Sequence, residues 1–454
     1  MTHTYSHSSA QKQLEALLQP YEQALKAAPE VVVGFSGGLD STVLLAAAAT
    51  VVDPQKLRAI HINHQLQTEA DVWQTHCEGF AAQLGVEIIV EKILIDNPNS
   101  GGVEARARAA RYEVFSRHVL PKGILLLGHH ADDQAETLLF RLFRGSGIKG
   151  LGAIPRQRTL SQRAISNAIV SDAMLLRPLL DTSKRTLASL AKQNEFEWVD
   201  DPSNQQNRYD RNFLRNDVLP LIRSRWKNID RTLLASAEMF RETDELLASI
   251  ADADLTLSDL RTEGVGTSID LHQLNDLGRA RRHNALRRWI YLETGKQVAS
   301  TVLNAIDTDL FSAAGDAQPE IGVQSHRLRR YQGRVFLLPM LPSASLLDEA
   351  LPMDWHSSKP LQVERFWRIE QVQGARGCFR VQRRQGGERL KPNNRAHSQQ
   401  LKKVMQEANI VPWLRELLPI VSHGDHIIAV GDNIICGDRQ FRLNWLIEEP
   451  TPFR

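Results

Sequence analysis

The segment SGGLDS, residues 36–41, brings small, flexible and acidic residues together directly after the apolar run VVVGF and directly before a helical pattern. Two glycines leave backbone N–H groups unobstructed by Cβ atoms, and the N-terminus of the following helix adds positive partial charge, so the turn is suited to a phosphate group. No lysine occurs between Lys26 and Lys56, which excludes a Walker P-loop. Asp40 in a phosphate site implies a bridging cation such as Mg²⁺. The alternative is an ordinary glycine turn with serine as the helix cap.

Two carboxylates in the segment GHHADDQAET, residues 128–137, are the next candidates for chemistry. Asp133 and Glu136 are three residues apart, so on a helix they lie on one face near its N-terminus. Carboxylates there can coordinate Mg²⁺, clamp a substrate ammonium group, or accept the proton that an attacking amine must lose. The alternative is that both acids merely complement the helix dipole.

Histidine and arginine side chains follow other predicted strands and turns. His61 and His64 are three residues apart, which in a strand places them on opposite faces and disfavours a joint metal site. We expect them to line an adenosine pocket outside the carboxyl ends of the strands, with a plain loop position as the alternative for His64. After the segment DPSN, arginines with a phosphate-binding guanidinium fork recur at positions 208, 211 and 215.

The composition is that of a globular protein: the 454 residues are 42% hydrophobic and 24% charged, and this length predicts two or three domains. The longest apolar run, residues 43–52, is about half of what a bilayer requires. The first residues lack the basic region followed by an apolar region that is typical of a signal peptide. Three cysteines without a CxxC pair are typical of a reducing compartment. We therefore expect a cytoplasmic protein without a membrane segment.

Short apolar runs alternate with helical patterns through the first part of the chain. Strands are predicted at residues 31–35, 57–63, 86–92 and 124–128, and helices at residues 41–50, 69–84, 104–119 and 133–143. This order is typical of an α/β fold, a doubly wound parallel sheet covered on both faces. The stretch 221–312 lacks proline and predicts a small helical domain, and the last part mixes strand-like pieces with one helix, which predicts an α+β domain. The predicted domains are residues 1–220, 221–345 and 346–454.

The segment SGGLDS after an apolar strand resembles the pyrophosphatase loop of the N-type ATP pyrophosphatases, whose domain has the adenine nucleotide alpha hydrolase-like fold. Such enzymes cleave ATP between the α and β phosphates and pass AMP to a substrate oxygen. With GHHADDQAET, RPLLDTSKRTL, the segment 201–220 and the C-terminal RRQGGERLKP, the resemblance narrows to the tRNA(Ile)-lysidine synthetase family and covers nearly the whole chain. It implies that ATP and free lysine convert the wobble cytidine of a CAU-anticodon isoleucine tRNA to lysidine through an adenylated cytidine. This change switches the specificity of the tRNA from methionine to isoleucine.

The resemblance also implies roles for particular residues. The implied catalytic residues are Asp40, Asp133, Glu136 and Arg208, and the sequence does not decide among Arg208, Arg211 and Arg215. ATP is expected at Ser36, Gly37, Gly38, Leu39, Asp40, Ser41, His61 and His64, with Mg²⁺ on Asp40. Lysine is expected at His129, Asp133 and Glu136.

Basic clusters with few acids supply candidate contacts for tRNA phosphates, and ordinary solvated surface is the alternative for each cluster. If the clusters bind phosphates, the affinity of the protein for tRNA should fall steeply as salt rises. The segment GSGIKG, residues 145–150, has the form GxGxxG, but it follows a helical stretch instead of a strand and is not a dinucleotide fingerprint. We expect it to lie near RNA instead. The expected tRNA contacts, with Trp289 beside the arginines of the 280s, are Arg144, Lys149, Arg281, Arg282, Arg287, Arg288, Arg383, Arg384, Arg389, Lys391, Lys402 and Lys403.

Two other functions are alternatives. A tRNA thiolase would need paired cysteines to carry sulfur or an iron–sulfur cluster, and no CxxC is present. A tRNA-binding module with a degenerate nucleotide pocket would be indifferent to the loss of Asp40, whereas an enzyme would lose AMP transfer. The oligomeric state is left open between monomer and homodimer.

Overall fold

The computed structural model of the protein describes residues 9–65, 69–93, 103–160, 172–201, 210–311, 319–393, 395 and 397–447. The chain divides into two compact units, Met1–Glu245 and Leu246–Arg454. In the described part of the chain, no helix is long and apolar enough to cross a membrane. The predicted domain boundaries after residues 220 and 345 stay a prediction.

A six-stranded sheet forms the centre of the first unit. Its strands are β1 Val31–Gly34, β2 Leu57–Asn63, β3 Glu87–Lys92, β4 Ile124–Leu126, β5 Gln157–Thr159 and β6 Met174–Leu176. They lie in the order β3-β2-β1-β4-β6-β5, and neighbours are parallel up to β6, with β5 antiparallel at the edge. The central strands form because runs of Val, Ile and Leu suit a sheet that is buried on both faces.

Helices cover both faces of this sheet. In chain order, the helices that begin in the first unit are α1 Ser9–Leu18, α2 Glu22–Ala27, α3 Leu39–Val51, α4 Ala70–Gln83, α5 Val103–His118, α6 Ala131–Phe143, α7 Ile148–Leu151, α8 Lys184–Gln193, α9 Asp210–Phe213, α10 Leu219–Arg225 and α11 Ile229–Leu257, with a 3₁₀ turn at Gln19–Tyr21 and a π turn at Leu214–Val218. Val31 and Val33 of β1 belong to the same core as Leu44 of α3, while Val32 belongs to the core that contains Phe115 of α5. Each fully buried side chain of this kind stabilises the fold by roughly 1.5–3 kcal/mol.

The chain reverses its direction of travel across the sheet between β1 and β4. Strands β2 and β3 follow β1 on one side, and β4 and β6 lie on the other side. Such a switch point leaves a crevice for ligands at the carboxyl ends of the strands. The prediction of a doubly wound α/β domain is confirmed, and its predicted strand and helix bounds agree with the structure to within two residues.

The first part of the second unit combines helices with a five-stranded antiparallel sheet, where the sequence predicted a small helical domain. Its helices are α12 Leu271–Asp276, α13 Arg279–Thr294 and α14 Ser300–Ala305, with a π turn at Ile306–Phe311. Its strands are β7 Arg261–Thr262, β8 Thr267–Asp270, β9 Glu320–Val323, β10 His326–Tyr331 and β11 Arg334–Pro339, in the order β7-β8-β11-β10-β9. Strand β10 buries His326 and Leu328 and partly exposes the arginines beside them, so it lacks the continuous apolar run of a parallel strand.

The last part of the second unit is an antiparallel α+β structure, as predicted. Its elements are α15 Leu347–Ala350, β12 Met353–His356, β13 Leu361–Val363, β14 Trp367–Gln373, β15 Cys378–Gln382, β16 Arg389–Leu390, β17 Gln399–Gln400, α16 Leu401–Glu407, β18 Ile420–His423, β19 His426–Val430, β20 Ile434–Ile435 and β21 Gln440–Trp445, with 3₁₀ turns at Ala344–Leu346 and Pro412–Leu414. The sheets are β12-β15-β18-β19-β20, β13-β14-β21 and β16-β17. In its core, the buried Trp367 donates through Nε1 to the carbonyl oxygen of Leu417 (2.9 Å).

Candidate active site

The segment SGGLDS forms the turn between β1 and α3. Gly37 has a φ of +81°, a left-handed conformation that favours glycine. The hydroxyl oxygens of Ser36 and Ser41 lie 3.0 Å apart, and Ser41 Oγ donates to the carbonyl oxygen of Gly38 (3.0 Å), so the serines brace the turn internally. Gly38 is the N-cap of α3 and no side chain caps this helix. The N–H groups of its first turn are therefore available to an anion.

Two close approaches hold the turn in place. A Cβ atom on Gly128, which lies just after β4, would be 3.1 Å from the backbone carbonyl carbon of Asp40 and 3.2 Å from the amide nitrogen of Ser41. The amide of Val199 donates to the carbonyl oxygen of Gly37 (2.9 Å). The turn is thus fixed between the end of the neighbouring strand and the chain segment around Val199.

A cavity of about 560 Å³, the size of a small-ligand pocket, opens beside the turn at the carboxyl ends of β1, β2 and β4. His64 lies beyond the end of β2, so it lines the same cavity as His61 although residues three apart within a strand face opposite ways. The lining includes Ser36, Gly38, Leu39, Asp40, Ser41, His61, His64, Arg108, Arg111, Tyr112, His129, His130, Asp133, Lys184, Asp200, Asp201 and Arg215.

Three carboxylates surround the buried His130, the N-cap of α6. Its Nε2 atom lies 3.5 Å from Asp40 Oδ2 and 3.6 Å from Asp133 Oδ2, and its Nδ1 atom lies 3.7 Å from Asp132 Oδ2. Its backbone N–H donates to Asp133 Oδ2 (3.0 Å). Burial opposes the charged form, but the hydrogen bond with Asp40 and the charges of the three acids outweigh burial and raise the pKa of His130. This imidazole therefore links the SGGLDS turn to the start of α6.

Arg215 binds both oxygens of Glu136. Its Nε donates to Oε1 (2.6 Å) and its Nη2 donates to Oε2 (2.8 Å), and Nη2 also contacts Asp133 Oδ1 at 3.4 Å. Glu136 is 3% exposed, and its burial raises the pKa of the carboxyl although Arg215 opposes the shift. Both carboxylates thus lie on one face of α6, as their spacing predicts, and Glu136 is already occupied by a guanidinium group.

Arginines make another side of the cavity positive. Burial, together with the charges of Arg177, Arg108 and Arg111, lowers the pKa of His129 to about 3. Burial and the charge of Arg111 lower the pKa of His64 to about 4. Both imidazoles are therefore neutral at pH 7. Within the described residues, the buried Nδ1 atom of each lacks a hydrogen-bond partner.

Three protein families match successive parts of the chain. The PP-loop domain matches residues 6–222, the TilS substrate binding domain residues 269–336, and the TilS substrate C-terminal domain residues 379–445. The tRNA(Ile)-lysidine synthase of Coxiella burnetii is 34% identical and covers 92% of this chain and 93% of its own; that of Yersinia pestis is 33% identical and covers 96% and 97%. The chain belongs to the tRNA(Ile)-lysidine synthase family. The resemblance seen in the sequence is confirmed, and the protein is an enzyme of a ligase family.

The structure describes two of the three arginines among which the sequence did not decide. Arg215 lines the cavity. The guanidinium carbon of Arg211 lies 5.6 Å from the ring centre of Phe140. Arg208, which the resemblance favoured, lies outside the described residues. Of the two arginines that the structure describes, Arg215 is therefore the one beside Asp133 and Glu136, and the role of Arg208 stays a prediction.

The donors present fit a magnesium ion that substrate phosphates help to bind. Asp40 Oδ1 is buried without a hydrogen-bond partner among the described residues. Mg²⁺ commonly takes one or two carboxylates together with waters and substrate phosphates, so this oxygen beside an anion-binding turn suits it. No group of three or more His, Cys, Asp or Glu in the described ranges could hold a metal by itself.

Many of the predicted tRNA contacts are engaged in ion pairs. The pairs are Arg281 with Asp254, Arg282 with Asp307, Arg288 with Asp252, Arg383 with Asp348, Arg384 with Glu388 and Lys403 with Glu407. Arg287 is partly exposed, and the other predicted contacts Arg144, Lys149, Arg389, Lys391 and Lys402 are exposed. Trp289 is buried and donates through Nε1 to Thr267 Oγ1 (2.8 Å), so it is a core residue and not a tRNA contact.

Sequence reasoning missed three side chains of the cavity. His130 stands beside His129, and its place before the acid-rich first turn of α6 was the available signal for an N-cap. Arg108 and Tyr112 lie four residues apart on α5, so they share a helix face with Arg111. That spacing could have predicted that these three side chains face the cavity together.

Proposed function

We propose that the protein ligates free lysine to C2 of the wobble cytidine in an isoleucine tRNA with a CAU anticodon, converting ATP to AMP and pyrophosphate. The observation that carries the proposal is one cavity that joins the open N-terminus of α3, Asp40, Asp133 of α6, Arg215 and the α5 arginines. A helix terminus beside an unpartnered carboxylate oxygen suits ATP with Mg²⁺, and the further charges suit an amino acid. ATP use follows from the PP-loop family, and relatives named tRNA(Ile)-lysidine synthase support the reaction.

In the first proposed step, the cytosine O2 atom attacks the α-phosphate of ATP, an O–P bond forms, and the bond to pyrophosphate breaks. The N–H groups at the start of α3 would stabilise the departing pyrophosphate. Mg²⁺ bound at Asp40 would neutralise phosphate charge during this step. The C2 oxygen then leaves readily because it carries AMP.

In the second proposed step, the ε-amino group of lysine forms a C–N bond at C2, the C–O bond to AMP breaks, and the amine loses a proton. Asp133 is well placed to accept it because Arg215 contacts this carboxylate only at 3.4 Å. Both oxygens of Glu136 are bound by that guanidinium group. Glu136 is therefore a positioning residue for Arg215, whose charge would stabilise the AMP leaving group.

We propose that the exposed cations bind the phosphates of the tRNA. Arg144 and Lys149 belong to the first unit, and Arg389, Lys391 and Lys402 to the second. Phosphate contacts of this kind position the RNA without reading its bases. Their number sets the slope of affinity against salt, so an affinity that is flat from about 50 to about 200 mM salt would remove the assignment.

The test is a reaction of the purified protein with MgATP, radiolabelled lysine and an unmodified isoleucine tRNA transcript with a CAU anticodon. A methionine tRNA with the same anticodon is the control. We expect label in the isoleucine tRNA alone, with AMP and pyrophosphate released. Release of pyrophosphate without lysine label in the tRNA would support ATP cleavage at the SGGLDS turn and would reject lysine as the substrate. Tight tRNA binding without either product would favour a non-catalytic binding module.

A further inference from the structure

The cavity changes the sign of its charge between two adjacent residues. His130 has the carboxylates Asp40, Asp132 and Asp133 at 3.5 to 3.7 Å, whereas the preceding His129 lies among arginines. The lining carries further acids at Asp200 and Asp201 and further cations at Arg108 and Arg111. A molecule that complements such a cavity carries a negative and a positive group at separate ends.

Arg108 is a supported cation on the positive side. Its Nη2 atom donates to the hydroxyl of Tyr112 one helical turn away (3.4 Å), and its guanidinium carbon lies 5.2 Å from the centre of that ring. Arg177, which is 1% exposed, donates to the same hydroxyl (3.2 Å) and to the carbonyl oxygen of Pro155 (2.7 Å). Tyr112 is thus anchored from the protein interior, and it restrains Arg108 at the cavity surface.

Two arginines on the positive side, Arg108 and Arg177, have no balancing acid among the described residues. Within the described ranges, no ion pair joins a carboxylate to Arg108 or to Arg177, and a buried guanidinium without a counter-charge is costly. Beside them, the Nδ1 atom of His129 is buried and has no described partner. A carboxylate bound here would balance the charge and accept charge-assisted hydrogen bonds.

We propose that Arg108, held by Tyr112 and the buried Arg177, binds the α-carboxylate of the amino-acid substrate and thereby selects lysine over amines that lack this group. The inference rests on the proposed function and names the part of lysine that the positive side recognises. The phosphates of ATP already have partners in the start of α3 and in Asp40 with its cation. The α-carboxylate of lysine has no other assigned partner. With this group at Arg108, the ε-amino group would lie on the acidic side of the cavity, near Asp133.

The test compares lysine with lysinamide, in which a neutral amide replaces the α-carboxylate and both amino groups stay. The wild type is compared with Arg108→Met, which keeps the side chain's length without its charge. The matched control is Arg117→Met, the same change at the exposed last turn of α5. We expect the wild type and Arg117→Met to favour lysine by about 10- to 100-fold in kcat/KM. Arg108→Met should use both amines about equally, through a higher KM for lysine and an unchanged KM for ATP.

A retained preference for lysine in Arg108→Met would overturn the inference. A raised KM for ATP, or slower pyrophosphate release in the absence of lysine, would overturn it as well, because Arg108 would then hold a phosphate. Failure of the wild type to attach lysine to the tRNA contradicts the proposed function itself, which keeps the two failures distinct. Tyr112→Phe removes the hydroxyl that both arginines contact, and it should reduce the preference by a smaller factor. An unchanged preference in that variant would show that Tyr112 does not position Arg108.

Discussion

Charged side chains in the cavity and on α13 are satisfied in different ways. In the cavity, Asp40 Oδ1 has no hydrogen-bond partner and Arg108 has no ion-pair partner among the described residues. On α13, Arg282 instead pairs with Asp307 at 3.0 Å. A charge that the fold holds but does not pair is available to a ligand, whereas a paired charge mainly stabilises the fold. The distinction predicts which substitutions affect activity and which affect stability.

Asp40→Asn changes a carboxylate whose Oδ1 atom has no hydrogen-bond partner among the described residues, so it should have the largest effect on activity. We expect lysine incorporation to fall by about 10²- to 10³-fold. Because asparagine keeps the size of the side chain, the melting temperature and the affinity for tRNA should stay close to those of the wild type. Initial rates of tRNA labelling and a thermal melt measure the two effects. Normal activity would remove Asp40 from the site and favour the binding-module alternative.

Arg215→Met breaks the ion pair between a cavity-lining arginine and the buried Glu136, so stability and activity should fall together. Leaving Glu136 buried and unpaired should lower the free energy of unfolding by about 3–5 kcal/mol. Burial raises the pKa of Glu136, so the folded state prefers the protonated carboxyl and loses stability as the pH rises through that pKa. Urea denaturation should therefore show a larger loss near pH 8 than near about pH 5.

The control for this prediction is the double variant R215M/E136Q, which removes the stranded charge and should recover most of the lost stability. A loss that does not depend on pH, or that persists in the double variant, would show that Arg215 stabilises the fold through other contacts.

Arg282→Met breaks a pair outside the cavity, and its effect should be confined to stability. The two side chains are 14% and 17% exposed, so we expect the free energy of unfolding to fall by about 1–3 kcal/mol. Arg279→Met is the matched control, because Arg279 contacts the same Asp307 but is 67% exposed, and an exposed pair contributes about 0–1 kcal/mol. Denaturant titration compares them. A changed KM for lysine or ATP in Arg282→Met would contradict the distinction.

Lys402→Met should have the smallest effect, confined to RNA binding. Lys402 is exposed on α16, and losing one phosphate contact should reduce the slope of log affinity against log salt by about 1 without changing stability. A binding titration at several salt concentrations gives the slope. Arg282→Met should leave this slope unchanged, whereas an unchanged slope in Lys402→Met would take that residue out of the interface.

Sequence predicted best the parts of the molecule that one local segment determines. The segment SGGLDS includes both the turn and the start of α3, and the segment GHHADDQAET includes the N-cap of α6. Their positions at the ends of strands can therefore be predicted from the local sequence pattern. The pair of Arg215 with Glu136 joins residues 79 positions apart, and no periodicity encodes it. The same holds for Arg282 and Asp307, 25 positions apart, which made α13 resemble an unpaired basic cluster. Strand β10 of the second unit escaped prediction because partly exposed arginines lie between its buried residues, which interrupts the apolar pattern.

The close approach of Gly128 to the backbone of Asp40 limits how this cavity can diversify. A methyl group at position 128 would lie 3.1 Å from that backbone, so even alanine there forces the SGGLDS turn to shift. Arg108 and Tyr112 belong to α5, which is not part of this turn. We therefore expect changes of the proposed amine substrate, by mutation or by design, to be tolerated better on α5 than in the turn that we propose binds the phosphates of ATP. Substitutions are therefore expected to be tolerated on the α5 side of the cavity and not at the contact between Gly128 and the turn.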